Sequence, residues 1–185
     1  MDMRTIATRQ GHHDQCKEYV MRTILMIVFG GGRAANLVES ELAARFGMRA
    51  RTVDASQPRT RMRGPQVHGE DVLEEVSRLR LRYGADYAIG FVNGDMYVPE
   101  MNFIFGLASH DLRSAVVTSY RLESPEPGVL RDRLIKEAVH ELGHVFGLGH
   151  CDNALCVMHF SNSLADTDLK TADICDKCKA TLGPS

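Results

Sequence analysis

Apolar residues fall along the chain in short bursts whose spacing switches between that of a strand and that of a helix. Thr23 to Phe29 (TILMIVF) is an unbroken run of β-branched and large apolar residues that ends in three glycines, which predicts a central strand leaving through a turn. Ala34 to Phe46 places Leu37, Val38, Leu42 and Phe46 among charges, an amphipathic helix closed by Gly47. Arg49 to Ala55 predicts a second short strand. Glu70 to Tyr83 carries Val72, Leu73, Val76, Leu79 and Leu81 on one helical stripe before Gly84, and strand character resumes over Tyr87 to Val92. Between the second strand and this helix, Gln57 to Gly69 has prolines, glycines and three arginines but no periodic apolar face, and is expected to be a loop. The order βαβαβ implies a partly parallel sheet with helices packed on it. Asn102 to Ala108 and Ala115 to Tyr120, with a polar turn at His110 and Asp111 between, predict an antiparallel addition at the sheet's end. Pro125, Pro127 and Gly128 precede a long helix from about Leu130.

The first 20 residues show no such periodicity, so residues 1–20 are read as an N-terminal extension, a flexible or loosely docked arm, ahead of a single domain over 21–185. A length of 185 residues suits one core. The glycines after the first strand do not form a dinucleotide loop, because Ala35 stands where G-x-G-x-x-G spacing requires glycine. With 22 basic and 24 acidic residues the formal charge is −2, so composition points away from nucleic acid. No apolar run approaches the roughly 20 residues of a membrane span, and the polar start does not resemble a signal peptide. A cytoplasmic, monomeric protein without membrane partners is expected. Cys151, Cys156, Cys175 and Cys178 crowd the last 35 residues while Cys16 stands alone, a distribution that suits metal-held thiolates in a reducing compartment.

Within the long helix, His140 and His144 lie four residues apart and so share a face, with Glu141 projecting beside them. This H-E-x-x-H string supplies two metal ligands and a carboxylate near the metal. Gly147 permits a sharp turn at the helix end, after which His150 can swing back as a third ligand. Three protein ligands leave the open position that a catalytic zinc requires. Histidines that merely cap or pack a helix explain H-E-x-x-H alone, but not the added Gly147 and His150. On the opposite stripe, Leu134, Ala138, Leu142 and Val145 are expected to face the core.

The full string HELGHVFGLGH resembles the metzincin clan of zinc peptidases, in which a methionine-containing turn lies beneath the metal; Met158 is its counterpart here. Read with Cys156-Val157-Met158 and Cys175-Asp176-Lys177-Cys178, the chain resembles the archaemetzincin family. The resemblance implies an α/β (α+β) fold of metzincin-like zincin type: a twisted mixed β-sheet with packed helices, an active-site helix, a Met-turn and a four-cysteine zinc site. It implies a second, structural zinc on Cys151, Cys156, Cys175 and Cys178, giving two zinc ions per chain. Four thiolates close a tetrahedral shell, although two disulfides or free thiols remain alternatives at this point.

The expected reaction is hydrolysis of a peptide or protein substrate by zinc-activated water, with Glu141 as general base. The resemblance also implies a substrate edge strand over Asn102, Phe103, Ile104, Phe105 and Gly106. The competing reading is a zinc-stabilised peptide- or protein-binding module of the same fold with little or no proteolytic activity. Many metzincins place a tyrosine two residues after the turn methionine; Phe160 stands here, so no oxyanion donor is assigned, and His159, Ser161 and Asn162 are read as loop residues. His12, His13, His68 and His110 have no partner at ligand spacing and are expected on the surface, and Asp166 and Asp168 mark a short final helix.

Overall fold

The computed structural model describes residues 21–31, 34–126 and 128–182. The extension at 1–20, with Cys16, His12 and His13, lies outside them. The sheet is organised around β1 (Thr23–Phe29), flanked in parallel by β2 (Arg49–Ala55) and β5 (Tyr87–Val92). The crossover between β1 and β2 is α1 (Ala34–Phe46). The apolar run of β1 is continuous because both of its faces are covered: Ile24, Met26 and Val28 join one core, while Leu25, Ile27 and Phe29 join the other.

The segment read as a loop contains two short strands, β3 (Met62–Arg63) and β4 (Gln66–His68). Strands of two and three residues are too short to show a period. They exist because distant backbone reaches them: β4 runs parallel to β6 (Met96–Val98), and Val67 N–H donates to Asp95 O at 2.8 Å. α2 (Gly69–Tyr83) follows β4 directly. His68, expected on the surface, is buried at this junction; Arg61 Nη2 lies 3.0 Å from its Nδ1.

The strand expected over Asn102–Ala108 is two strands in two sheets. Asn102, Phe103 and Ile104 belong to β7 (Met101–Ile104), which runs antiparallel to β6 and ends the order β3-β4-β6-β7. Phe105 is the buried joint, and Gly106 begins β8 (Gly106–Ser109), antiparallel to β9 (Ser114–Thr118). A single apolar run cannot reveal such a change of partner, because either half satisfies the same local preferences. The main sheet is therefore β2-β1-β5-β9-β8, with the expected antiparallel edge.

The long helix, α3 (Val129–Val145), packs with α1 on one face of this sheet, and α2 covers the other. Leu134, Ala138, Leu142 and Val145 are buried as their stripe predicts. Two short helices complete the chain, α4 (Leu164–Leu169) and α5 (Asp176–Thr181), so the helix marked by Asp166 and Asp168 is not the last. Asp166 closes a capping box with Ser163, which starts α4 despite its six residues.

Candidate metal and catalytic site

Helix α3 presents His140 and His144 from its last two turns, and Gly147, at φ 93°, takes the chain out of helical conformation. Only a residue without Cβ adopts that backbone at little cost, and the turn returns His150 to the pair. One ring nitrogen from each of His140, His144 and His150 then lies within 4.8 Å of the others. His150 is the exposed member, tilted against Phe160 with ring centroids 4.9 Å apart.

The backbone sets the tautomers. His140 Nδ1 donates to Val157 O at 2.8 Å and His144 Nδ1 to Leu148 O at 2.7 Å; a carbonyl only accepts, so both protons sit on Nδ1. In the neutral rings both Nε2 atoms carry lone pairs, yet they face each other across 3.1 Å. Two acceptors at that separation repel unless a cation lies between or beside them. Burial, with help from Lys170, pushes His140 down to about 3, so its ring is neutral at ordinary pH. His150 is lowered as well, by burial first. A set of three imidazoles, two of them oriented by backbone carbonyls, suits a borderline-soft divalent metal.

Glu141 leaves α3 toward β8. A methyl group at Gly106 would stand 2.5 Å from Glu141 Oε1 and 2.6 Å from its Cγ, so the carboxylate occupies the space a side chain would take. Burial holds the Glu141 carboxyl well above the usual range, Glu137 adds to the rise, and Lys170 opposes it. Met158 is fully buried against Gly143, the residue before His144: a side chain at Gly143 would overlap its sulfur and lie 2.9 Å from its methyl. Met158 O also accepts from Cys151 N–H at 2.9 Å, tying the residue after His150 to the turn.

Cys151, Cys156, Cys175 and Cys178 bring four sulfurs within 4.8 Å of one another, and none is in a disulfide. The separation Cys151 Sγ to Cys175 Sγ is 3.8 Å, too long for a covalent bond. The backbone N–H of Cys178, at the start of α5, draws Cys175 down to about 7, whereas burial pushes Cys178 up to about 12 and raises Cys156. One sulfur ready to ionise beside buried neighbours that resist is a set a cation would convert to thiolates.

His110 and His159 stand apart from these clusters. His110 Nδ1 lies 2.8 Å from Val145 O, at the end of α3, and His159 Nδ1 lies 2.8 Å from Cys151 O. Three residues escaped the sequence reading: Glu137, Thr167 and Lys170, which meet in the interior behind the histidines. Glu137, four residues before Glu141 on a buried helix, was the one visible signal.

Comparison with known proteins agrees with this geometry. The sequence model of peptidase family M54 matches residues 35–183. An archaemetzincin of Pyrococcus horikoshii is 50% identical over 116 residues, covering 60% of this chain and 62% of the relative. One from Haloquadratum walsbyi is 36% identical over 126 residues, covering 63% and 71%. The match thus spans less than two thirds of the length of the Pyrococcus relative. Among solved structures, archaemetzincin from Archaeoglobus fulgidus, crystallised with malonate, superposes with a TM-score of 0.76 at 29% identity, covering 86% of this chain and 99% of that one. A zinc-dependent peptidase from Methanocorpusculum labreanum superposes at 0.75 with 29% identity, covering 86% and 100%. With four fifths of its length matched by the family model, and with archaemetzincins as its relatives in both sequence and structure, the chain belongs to peptidase family M54.

Proposed function

We propose that the chain is a zinc-dependent metallopeptidase that holds one catalytic zinc on His140, His144 and His150 and one structural zinc on Cys151, Cys156, Cys175 and Cys178. The observation behind this reading is the pair of lone pairs on His140 and His144 facing each other at 3.1 Å, with a third imidazole at hand and a carboxylate beside them. Zinc bound there supplies a Lewis acid and a water whose pKa falls to about 7. Glu141, near the histidines but not among them, takes the proton of the attacking water and delivers it to the departing amine. Met158 serves as an apolar floor.

The substrate edge in this reading is β8. Phe105 O accepts from Thr118 N–H, and antiparallel pairs alternate between bonded and non-bonded, so with the register Gly106↔Val117 and Ala108↔Ala115 the N–H and C=O of Gly106 and Ala108 turn to the open edge. An extended peptide adds there as a further strand. In β7, by contrast, Met101 O and Asn102 O already accept from Arg63, and Asn102 O also from Gln66. Asn102, Phe103, Ile104 and Phe105 support that edge rather than form it.

The core on both faces of one sheet supports a single peptidase domain over 21–185. No described helix is long and apolar enough to cross a membrane. Four cysteines without a disulfide among the described residues fit thiolates held by metal in a reducing cytoplasm. The test is digestion of a peptide library by zinc-loaded wild type and Glu141→Gln, read by mass spectrometry. Turnover should fall by about 10²-fold or more with zinc content unchanged; equal cleavage by both proteins would reject the reading.

A further inference from the structure

Behind the histidines lies a group that the proposed reaction does not use. Lys170 has a side chain that is 0% exposed, and its Nζ lies 3.0 Å from Oε1 of Glu137, itself 4% exposed. Thr167 Oγ1 donates to the same oxygen at 3.0 Å. Nζ makes no hydrogen bond of good angle among the described residues, so the attraction is chiefly ionic. Burying two charges costs several kcal/mol per ion, and well-packed apolar residues of similar volume often serve stability as well or better. Stability is thus a weak reason for the pair. What an ion pair adds is a specific meeting point: it defines one separation between two elements, which apolar contact does not, and the Thr167 hydrogen bond adds the direction of the Glu137 carboxylate.

The two elements are those that aim His140. Glu137 sits one turn before His140 on α3. Lys170 ends α4 and leads into Thr171, whose N–H and hydroxyl both donate to Leu155 O at 3.0 and 2.9 Å. Two residues on, Asp173 O accepts from Val157 N–H at 2.9 Å, and Val157 O is the acceptor that orients His140 Nδ1. A closed circuit runs from Glu137 through Lys170, residues 171–173 and Leu155–Val157 to His140 and back along the helix.

We propose that Lys170 and Glu137 are positioning residues for the histidine centre: their buried ion pair, with Thr167, sets α3 against the segment bearing Val157 and thereby the direction of the His140 ring. This deepens the zinc reading and rests on it. The test compares wild type, Lys170→Met, Glu137→Met and the double variant, each loaded with zinc, by thermal melting and by chelator competition for the histidine-bound ion. His144→Ala identifies which ion that is, and the absorption spectrum of cobalt-substituted protein reports the ligand geometry. Each single variant leaves one buried charge unpaired and loses stability. The double variant should recover stability but hold the histidine-site metal roughly 10- to 100-fold more weakly, with an altered cobalt spectrum and the cysteine-bound metal unchanged. A double variant that recovers affinity and spectrum along with stability would overturn the proposal, as would one that stays unstable, since the pair would then serve folding alone. If wild type holds no histidine-dependent metal at all, the zinc reading fails instead.

Discussion

At Gly106 the missing side chain matters more than most that are present. The Glu141 carboxylate fills the place where a Cβ would be, with Oε1, Cγ and Cδ all within 2.7 Å of it. Those atoms belong to one long side chain and none to backbone, so a methyl group there swings the whole Glu141 side chain aside before it moves backbone. Gly106→Ala should therefore fold with a Tm within about 4 °C of wild type and bind the same metal, while its kcat falls roughly 10- to 100-fold because the base is displaced by about 1 Å. Thermal melts, metal analysis and peptidase rates on one preparation check all three. Gly143 makes the same kind of room, for the sulfur and methyl of fully buried Met158. Both glycines lie in segments whose elements were foreseen, yet neither requirement is readable from the chain: each depends on a residue brought close only by folding.

Among the elements, the region between β2 and α2 departs furthest from expectation, and its stability has an electrostatic signature. Arg61 closes the irregular segment onto α2: its side chain, then its backbone N–H, bonds Asp71 in the first helical turn. The guanidinium holds the Asp71 carboxyl down to about 2 from an ordinary 3.8. A carboxylate depressed in the folded state contributes stability that is complete above about pH 4 and is lost as pH falls toward 2. Asp71→Asn should lower Tm slightly at pH 7, by less than about 4 °C because Arg61 is largely exposed, and the difference from wild type should close by pH 2. Melting both proteins at pH 7, 4 and 2 tests this; a constant difference would place the contribution elsewhere. β3 and β4 escaped the sequence reading for a related reason. The partners of β4, namely β6 and the Asp95 carbonyl, lie about 30 residues away, and β3 pairs with β4 over only two residues, too short a match to stand out from loop.

On the scale of the whole molecule, the thiol cluster and the imidazole cluster share one segment, because Cys151 follows His150 and Met158 O holds Cys151 N–H. Metal removal should therefore be ordered. Mild chelation should take the histidine-dependent ion first and leave Tm within about 5 °C, whereas Cys175→Ser should lower Tm by about 10 °C or more and weaken the histidine site as well. Metal content and melting of wild type, His144→Ala and Cys175→Ser decide it; a single ion in all three would refute the two-centre arrangement. The histidine string was legible because helix periodicity and one glycine suffice to gather His140, His144 and His150, with Glu141 between, within eleven residues. The unbroken β1 run likewise announced its place inside the sheet, since residues with both faces buried need no polar alternation. By itself, then, the sequence determined which three histidines gather around a neighbouring glutamate and the order of the main elements, both of which follow from short-range geometry. Only the tertiary structure decided that Asn102–Ala108 divides between two sheets, that Gly106 makes room for Glu141, and that Lys170 meets Glu137 in the interior. Those outcomes rest on contacts between residues far apart in the chain, where no local periodicity distinguishes a partner from a bystander.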